Sequence, residues 1–317
     1  MGRHYSLPMR IYVAGINGMV GSAIALEAKA QGHEVIGKSS KELDLTDRAA
    51  VFNELRDANP DYLIMAAAKV GGIGANYSFP VDFLSINLQI QTNLLDAAHA
   101  RKISKVLFLG SSCVYPRLAH QPIIESSLLT GELEPTNEPY ALAKIAGLKL
   151  VEAYRRQFGY HWISAMPTNL YGPRDNFDPV TAHVLPMLVR RFHRAKINSE
   201  QSVEIWGDGT PLREFLHVQD LAIACLILLD NFDSSVAINI GSGREISIGD
   251  LAVLISKVVG YSGEITFNIA KPNGTPRKLV DSTLIKELGW KPLVELEEGI
   301  MTTYKWFLSN VPEEANI

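Results

Sequence analysis

Gly15-Ile16-Asn17-Gly18-Met19-Val20-Gly21 constrains the fold of this chain more than any other segment. It follows a short apolar run, Ile11-Tyr12-Val13-Ala14, and opens a helical pattern from Met19 to Gln31. The glycine string alone is common. Between a strand and a helix it has a mechanism, because glycines permit a tight turn and let the backbone approach a pyrophosphate at the helix N-terminus. The plainer alternative is a strand-to-helix turn with packing glycines. In this context the spacing predicts a dinucleotide loop of Gly15, Asn17, Gly18, Met19, Val20 and Gly21.

The alternation continues downstream. Glu34-Val35-Ile36 reads as a strand, Thr46 to Ala58 as a helix and Tyr62-Leu63-Ile64-Met65 as a strand. A longer helical stretch from Val81 to Arg101 precedes a fourth strand, Lys105 to Leu109. Strands this continuously apolar are expected where helices cover both sheet faces. The fold class is therefore α/β, a doubly wound parallel (Rossmann) sheet. Beyond about residue 170, Pro and Gly punctuate shorter elements, as in Trp206-Gly207-Asp208-Gly209-Thr210-Pro211. The expected division is a dinucleotide domain over 1–170 and a smaller C-terminal α/β substrate domain over 171–317, with crossings back to the first. That second unit is expected to close over the carboxyl edge of the sheet, where open α/β sheets bind ligands.

Composition narrows the partners. A net charge of −4 argues against nucleic acid, whose binding rests on a basic face that neutralises phosphates. The run Arg190-Arg191-Phe192-His193-Arg194-Ala195-Lys196 reads as a solvated helix face, with a site for a small diphosphate left open. The two cysteines, Cys113 and Cys225, have no metal-like spacing and suggest no disulfide framework. Cys225 sits in an apolar run and reads as core, and no metal site is expected. The first six residues lack a signal-peptide core, although Gly2 and Ser6 match a loose acylation pattern. No apolar run reaches the roughly 20 residues that span a bilayer. A cytoplasmic protein without membrane contact is the expectation.

Cofactor choice is read at the end of the second strand. An NAD enzyme usually places a carboxylate there for the ribose 2′-hydroxyl. Here the residues are Gly37-Lys38-Ser39-Ser40-Lys41. Lys and Ser suit a 2′-phosphate, so NADP(H) is expected on Lys38, Ser39, Ser40 and Lys41, with Asp44 and its neighbour Leu45 near the adenine.

Tyr140 and Lys144 lie four apart in a segment that reads as a helix from Pro139 to Phe158, so they share a face. A lysine beside a tyrosine favours its phenolate and predicts a lowered tyrosine pKa. Upstream, Ser111 ends the fourth strand, where its hydroxyl can bond the same substrate oxygen. A dinucleotide loop, a strand-end serine and Tyr-x-x-x-Lys in this order resemble the extended short-chain dehydrogenase/reductase superfamily.

Longer stretches narrow the resemblance. Ala66-Ala67-Ala68-Lys69-Val70-Gly71-Gly72-Ile73, Gly110-Ser111-Ser112-Cys113-Val114-Tyr115-Pro116 and Glu134-Pro135-Thr136-Asn137-Glu138-Pro139-Tyr140 resemble the GDP-L-fucose synthase family. So do Pro167-Thr168-Asn169-Leu170-Tyr171-Gly172-Pro173 and Gly209 through Val218. The resemblance implies two chemistries: epimerisation of GDP-4-keto-6-deoxy-D-mannose at C3 and C5, then NADPH reduction at C4 to GDP-L-fucose. It implies Cys113 and His183 as the proton-exchanging pair, and Ser111, Tyr140 and Lys144 as the reductase group. Without the family, Cys113 reads as a small core residue and His183 as a capped helix start. The resemblance adds Ala67, Ala68, Lys144, Pro167, Asn169, Leu170 and His183 to the cofactor contacts. Ser111, Ser112, Cys113, Tyr140, Asn169, Val184, Arg191, Trp206, Arg213, Asn273 and Lys278 are implied for the GDP-sugar. A homodimer through two helices of each dinucleotide domain is implied by the superfamily.

Two departures stand out. Asn17 occupies a loop position where bacterial relatives often carry arginine, and an arginine is also missing after the second strand. Asn273 stands where aspartate is common. Among rivals, a dehydratase needs an acidic pair, which Ser112-Cys113-Val114 lacks. A 4-epimerase would not need Cys113 and His183. A non-catalytic NADP-binding regulator often loses the Tyr or Lys, both kept here.

Overall fold

The computed structural model describes residues 8–271 and 273–312. The N-terminal readings, including the Gly2/Ser6 pattern, lie outside them. Six parallel strands form the central sheet: β1 (Arg10–Ala14), β2 (Glu34–Ile36), β3 (Tyr62–Met65), β4 (Lys105–Leu109), β5 (Ile163–Pro167) and β9 (Ile238–Ile240), in the order β2-β1-β3-β4-β5-β9.

Period-two alternation explains both faces of this sheet. Tyr12, Ala14, Leu63, Met65, Val106 and Phe108 point to one side, against α2 (Arg48–Ala58), α4 (Asn87–Ala100) and α5 (Glu138–Phe158). Ile11, Val13, Ile64, Leu107 and Leu109 point to the other, against α1 (Met19–Ala30) and α7 (Val218–Asn231). Each fully buried side chain of this kind contributes about 1.5–3 kcal/mol. The sheet is doubly wound, as the sequence predicts. Cys225 is buried in the second of these clusters, and burial pushes its thiol up to about 12.

The long helical stretch before β4 is in two parts, a π-helical turn over Asp82–Ile86 and then α4. The shorter α3 (Ile73–Ser78) precedes them. The helix predicted from Thr46 starts at Arg48, because Asp47 caps it by accepting from the Ala50 N–H.

A separate core lies in the C-terminal half. It gathers Tyr171, Phe177, Leu185, Phe192, Leu251, Ile255, Ile300 and Phe307. Its elements are β6 (Asn169–Tyr171), α6 (Val184–Ile197), β7 (Ser202–Trp206), β8 (Leu212–His217), β10 (Glu245–Ser247), α8 (Ile248–Val259), β11 (Glu264–Asn268), β12 (Arg277–Lys278) and α10 (Leu296–Asn310), whereas α9 (Thr283–Glu287) buries Ile285 in the core of the first unit. β8 pairs with β6, β10 and β12, while β7 pairs with β11. Between β8 and β10 the chain returns to the first unit, laying α7 on its helical layer and adding β9 to its sheet edge.

Candidate active site

The strand order reverses between β1 and β3, so the loops after these strands diverge at the carboxyl edge of the sheet. They meet there. Gly15 has φ +86°, and a Cβ on it would lie 2.9 Å from the Ala67 backbone. A Cβ on Gly21 would lie 2.1 Å from the Gly15 carbonyl oxygen. Gly18 is the N-cap of α1 and makes no side-chain cap bond, which leaves first-turn N–H groups facing outward. Together these leave a bare backbone cradle at a helix N-terminus, which fits a dinucleotide pyrophosphate.

Beyond β2, Lys38, Ser40 and Lys41 are exposed beside a half-buried Ser39. A carboxylate that sequence reasoning passed over occupies this place. Glu42 accepts from the Ser39 N–H at 2.8 Å and from its hydroxyl at 2.6 Å. Asp44 spends one oxygen on the Thr46 N–H and hydroxyl, at 2.9 and 2.7 Å. Leu45 packs on the core, and its carbonyl accepts from Asn93. Ala67 and Ala68 follow β3, and Pro167 is buried at the end of β5. Asn169 donates its amide to the Glu214 carbonyl at 2.8 Å, and Leu170 follows it in β6.

β4 and α5 supply the reactive cluster. Gly147 lets α5 approach, since a Cβ there would lie 2.4 Å from the Phe108 ring. That approach brings Lys144 to the strand end, where its ammonium donates to the Leu109 carbonyl at 2.8 Å. Lys144 lies 5.9 Å from the centre of the Tyr140 ring. Tyr140 hydrogen-bonds Ser111 and faces Cys113. Cys113 is half-buried rather than core, and its N–H donates to the Ser111 hydroxyl at 3.2 Å. Ser112 is buried beside it.

Electrostatics here depart from the expectation of a lysine-lowered tyrosine. Burial raises the Tyr140 pKa, Cys113 raises it further, and the Ser111 hydrogen bond opposes both. Burial also lowers Lys144, to about 8. The cost of charging either group in a crowded cleft outweighs their mutual help. Tyr140 is therefore a neutral phenol at physiological pH.

His183 is the N-cap of α6 but makes no side-chain cap bond. Its side chain is exposed, while protein atoms crowding one side of it lower its pKa. The loop before it is tied down: Asp178 accepts from the Val180 and Thr181 N–H groups, both at 2.9 Å, and Gly72 donates to the Thr181 carbonyl at 2.9 Å. His183 is thereby tethered to the turn after β3. Val184 follows in the first turn of α6, and Arg191 lies two turns on, half-buried.

Arg213, on β8, faces Cys113 and Glu134, both of which support its charge against burial. Lys278 sits opposite it in the β12 register. Trp206 is 63% exposed, with the Lys271 ammonium 5.2 Å from its ring. The Asn273 amide oxygen accepts from the Asp208 N–H at 3.1 Å, and its amide also bonds the Asp208 carboxylate. It clamps two loops together. Pro272, beside it, lies outside the described residues.

Residues 11–241 match the model of the NAD dependent epimerase/dehydratase family. GDP-L-fucose synthase 1 of Arabidopsis thaliana is 54% identical over 303 residues, covering 95% of this chain and 94% of that protein. The GDP-L-fucose synthase of Escherichia coli K12 is 50% identical over 311 residues, covering 95% and 97%. The chain belongs to the GDP-L-fucose synthase branch of this family. Among solved structures, a GDP-L-fucose synthetase from Naegleria fowleri bound to NADP superposes with a TM-score of 0.86 at 30% identity, covering 95% of this chain and 93% of that one.

Within this family's frame, Ser111, Cys113, Tyr140 and Lys144 come together, with Arg213 beside them. His183 caps and Arg191 lies within α6 of the second unit, and no contact among the described residues ties either to that cluster. Sequence reasoning missed Glu42 and Asn137. Asn137 stood in plain view in the Glu134–Tyr140 stretch that carries the family resemblance, with no role assigned to it.

Proposed function

We propose that the chain is an epimerase–reductase that converts GDP-4-keto-6-deoxy-D-mannose to GDP-L-fucose. One observation carries this reading: a thiol, Cys113, and a phenol, Tyr140, both adjoin Ser111 at the end of β4. A simple ketone reductase needs only the phenol. A second proton-exchanging group suits a substrate whose C4 ketone acidifies the C–H bonds at C3 and C5.

Cys113 removes a proton from each of these carbons, and His183 returns one on the opposite face. Crowding by protein atoms lowers its pKa, so its imidazolium, once formed, gives up its proton readily. Gly15, Gly18 and Gly21 would hold NADPH, which when bound would supply a hydride for C4. Tyr140 delivers the proton to the C4 oxygen; burial keeps that proton in place until it is needed. Ser111 polarises the same carbonyl, and the Lys144 charge supports the phenolate left behind. Arg191 and Arg213 suit the diphosphate, while Trp206 offers an exposed ring edge to the nucleoside. Asn273 and Lys278 border that pocket.

The first unit, 1–170 together with α7, β9 and α9, binds NADP(H), and the rest of 171–317 binds the GDP-sugar. A homodimer through two helices of each dinucleotide domain follows by analogy with the superfamily. Among the described residues no helix is long and apolar enough to cross a membrane. Cys113 and Cys225 are free thiols, which supports a cytoplasmic location.

The test is consumption of NADPH with freshly generated GDP-4-keto-6-deoxymannose, with the product sugar identified by NMR. A fucose product is expected. A sugar reduced at C4 alone would remove the epimerase role of Cys113 and His183, and retention of NAD without NADPH consumption would favour a 4-epimerase.

A further inference from the structure

We propose that Asn137 is a positioning residue for the epimerisation, holding the Cys113 sulfur in line and donating to it while it carries negative charge. The inference rests on the reading of Cys113 as the base.

Asn137 is the N-cap of α5, the position for which asparagine is among the preferred residues because its oxygen accepts from a first-turn N–H. Here its side chain makes no cap hydrogen bond. Forgoing such a bond costs about 1 kcal/mol of helix stability. The side chain turns the other way. Its Nδ2 lies 3.4 Å from Cys113 Sγ, within the range of a hydrogen bond to sulfur. Its Oδ1 is buried without a partner. The reverse amide orientation would aim the oxygen at sulfur and bury the NH2 group, with two donors, in that unpartnered place. An amide that gives up its local bond and leaves an oxygen unsatisfied is held for its contact with the sulfur.

The geometry has a chemical consequence. An Nδ2–H donor stabilises a sulfur anion more than a neutral thiol, and the anion is the form that takes a proton from carbon. Ser111 accepts from the Cys113 N–H and fixes the backbone beneath it. Asn137 precedes Tyr140 by one helical turn, so α5 places both the partner of the thiol and the phenol. The two chemistries share one support.

Asn137→Asp separates this role from helix capping. Aspartate caps as well as asparagine and has nearly the same shape, but it offers sulfur a carboxylate instead of a donor. Solvent-deuterium incorporation at C3 and C5 of GDP-4-keto-6-deoxymannose is followed without NADPH, alongside the rate of Cys113 alkylation by iodoacetamide. In Asn137→Asp the turnover number for exchange is expected to fall roughly ten- to hundredfold, with alkylation slowed and the substrate KM and NADPH Kd within about twofold of the parent. Exchange and alkylation at parental rates would overturn the proposal. Should Asn137→Asp fail to fold, Asn137→Ser serves the same test, since serine caps but is too short to reach the sulfur. Absence of exchange in the parent enzyme would overturn the base assignment itself. Exchange that persists in both variants would overturn only the role of Asn137.

Discussion

Glu42 closes its carboxylate on Ser39, accepting from both its N–H and its hydroxyl. The Ser39 hydroxyl and N–H, and then the Lys38 charge, hold the Glu42 pKa below the usual range, so the group is ionised at neutral pH. Ser39 and Lys38 are the residues expected to receive a 2′-phosphate. A carboxylate therefore competes with the phosphate for the same donors. Glu42→Gln removes the competing charge while keeping an acceptor for Ser39. The KM for NADPH is expected to fall roughly two- to fivefold with that for NADH unchanged. An unaltered ratio in steady-state assays would remove Glu42 from cofactor selection.

Tyr140→Phe deletes the hydroxyl bonded to Ser111 and leaves the ring packed edge-on against Phe83, at 6.4 Å between centres. Reduction at C4 is expected to drop by about 10²–10⁴-fold, the usual worth of a general acid, with the NADPH Kd within about twofold. Loss of NADPH absorbance and cofactor titration check the two parts. Full turnover in this variant would refute the assignment of Tyr140 as acid.

Cys113→Ser keeps the size of the side chain but replaces the thiol with a hydroxyl, which gives up its proton far less readily. Solvent-deuterium incorporation at C3 and C5 is expected to fall by about two orders of magnitude. Mass spectrometry of the recovered keto-sugar reads this directly. Unchanged incorporation would take Cys113 out of the mechanism.

Asp175 carries a pH signature in stability. One oxygen accepts from the Asn176 N–H at 2.7 Å, and the other is buried without a partner. Burial raises its pKa from 3.8 to about 7, and the Asn176 bond only partly opposes this. The folded state thus holds a proton that the unfolded state releases, so stability falls as pH rises from about 4 to about 7 and stays reduced above that. Asp175→Asn cannot ionise. Its melting temperature should match the parent near pH 4 and exceed it at about pH 8, by an amount equivalent to roughly 2–4 kcal/mol. Parallel profiles for the two proteins would show that Asp175 is ionised without cost.

Much of the architecture was already legible in the chain. The apolar runs at Ile11, Tyr62 and Lys105 are buried on both faces by the helices that alternate with them, so pattern alone implied a doubly wound sheet. The glycine loop needed only its place between strand and helix, because backbone conformation and missing Cβ atoms are local properties. Tyr140 and Lys144 announced a shared helix face through their spacing, and the family resemblance pointed to Cys113 and His183.

Interactions between segments far apart in sequence were settled by the tertiary structure. Nothing local revealed that β9 returns to the edge of the first sheet, since a three-residue strand has too little pattern to name its neighbour. The tyrosine pKa depends on how many atoms crowd the cleft, so folding reversed the direction that the lysine spacing implied. The same holds for Asn137: only the placement of β4 beside α5 brought a sulfur within its reach. Periodicity and backbone chemistry are written in the sequence. Desolvation and the choice of hydrogen-bond partner arise when distant segments meet.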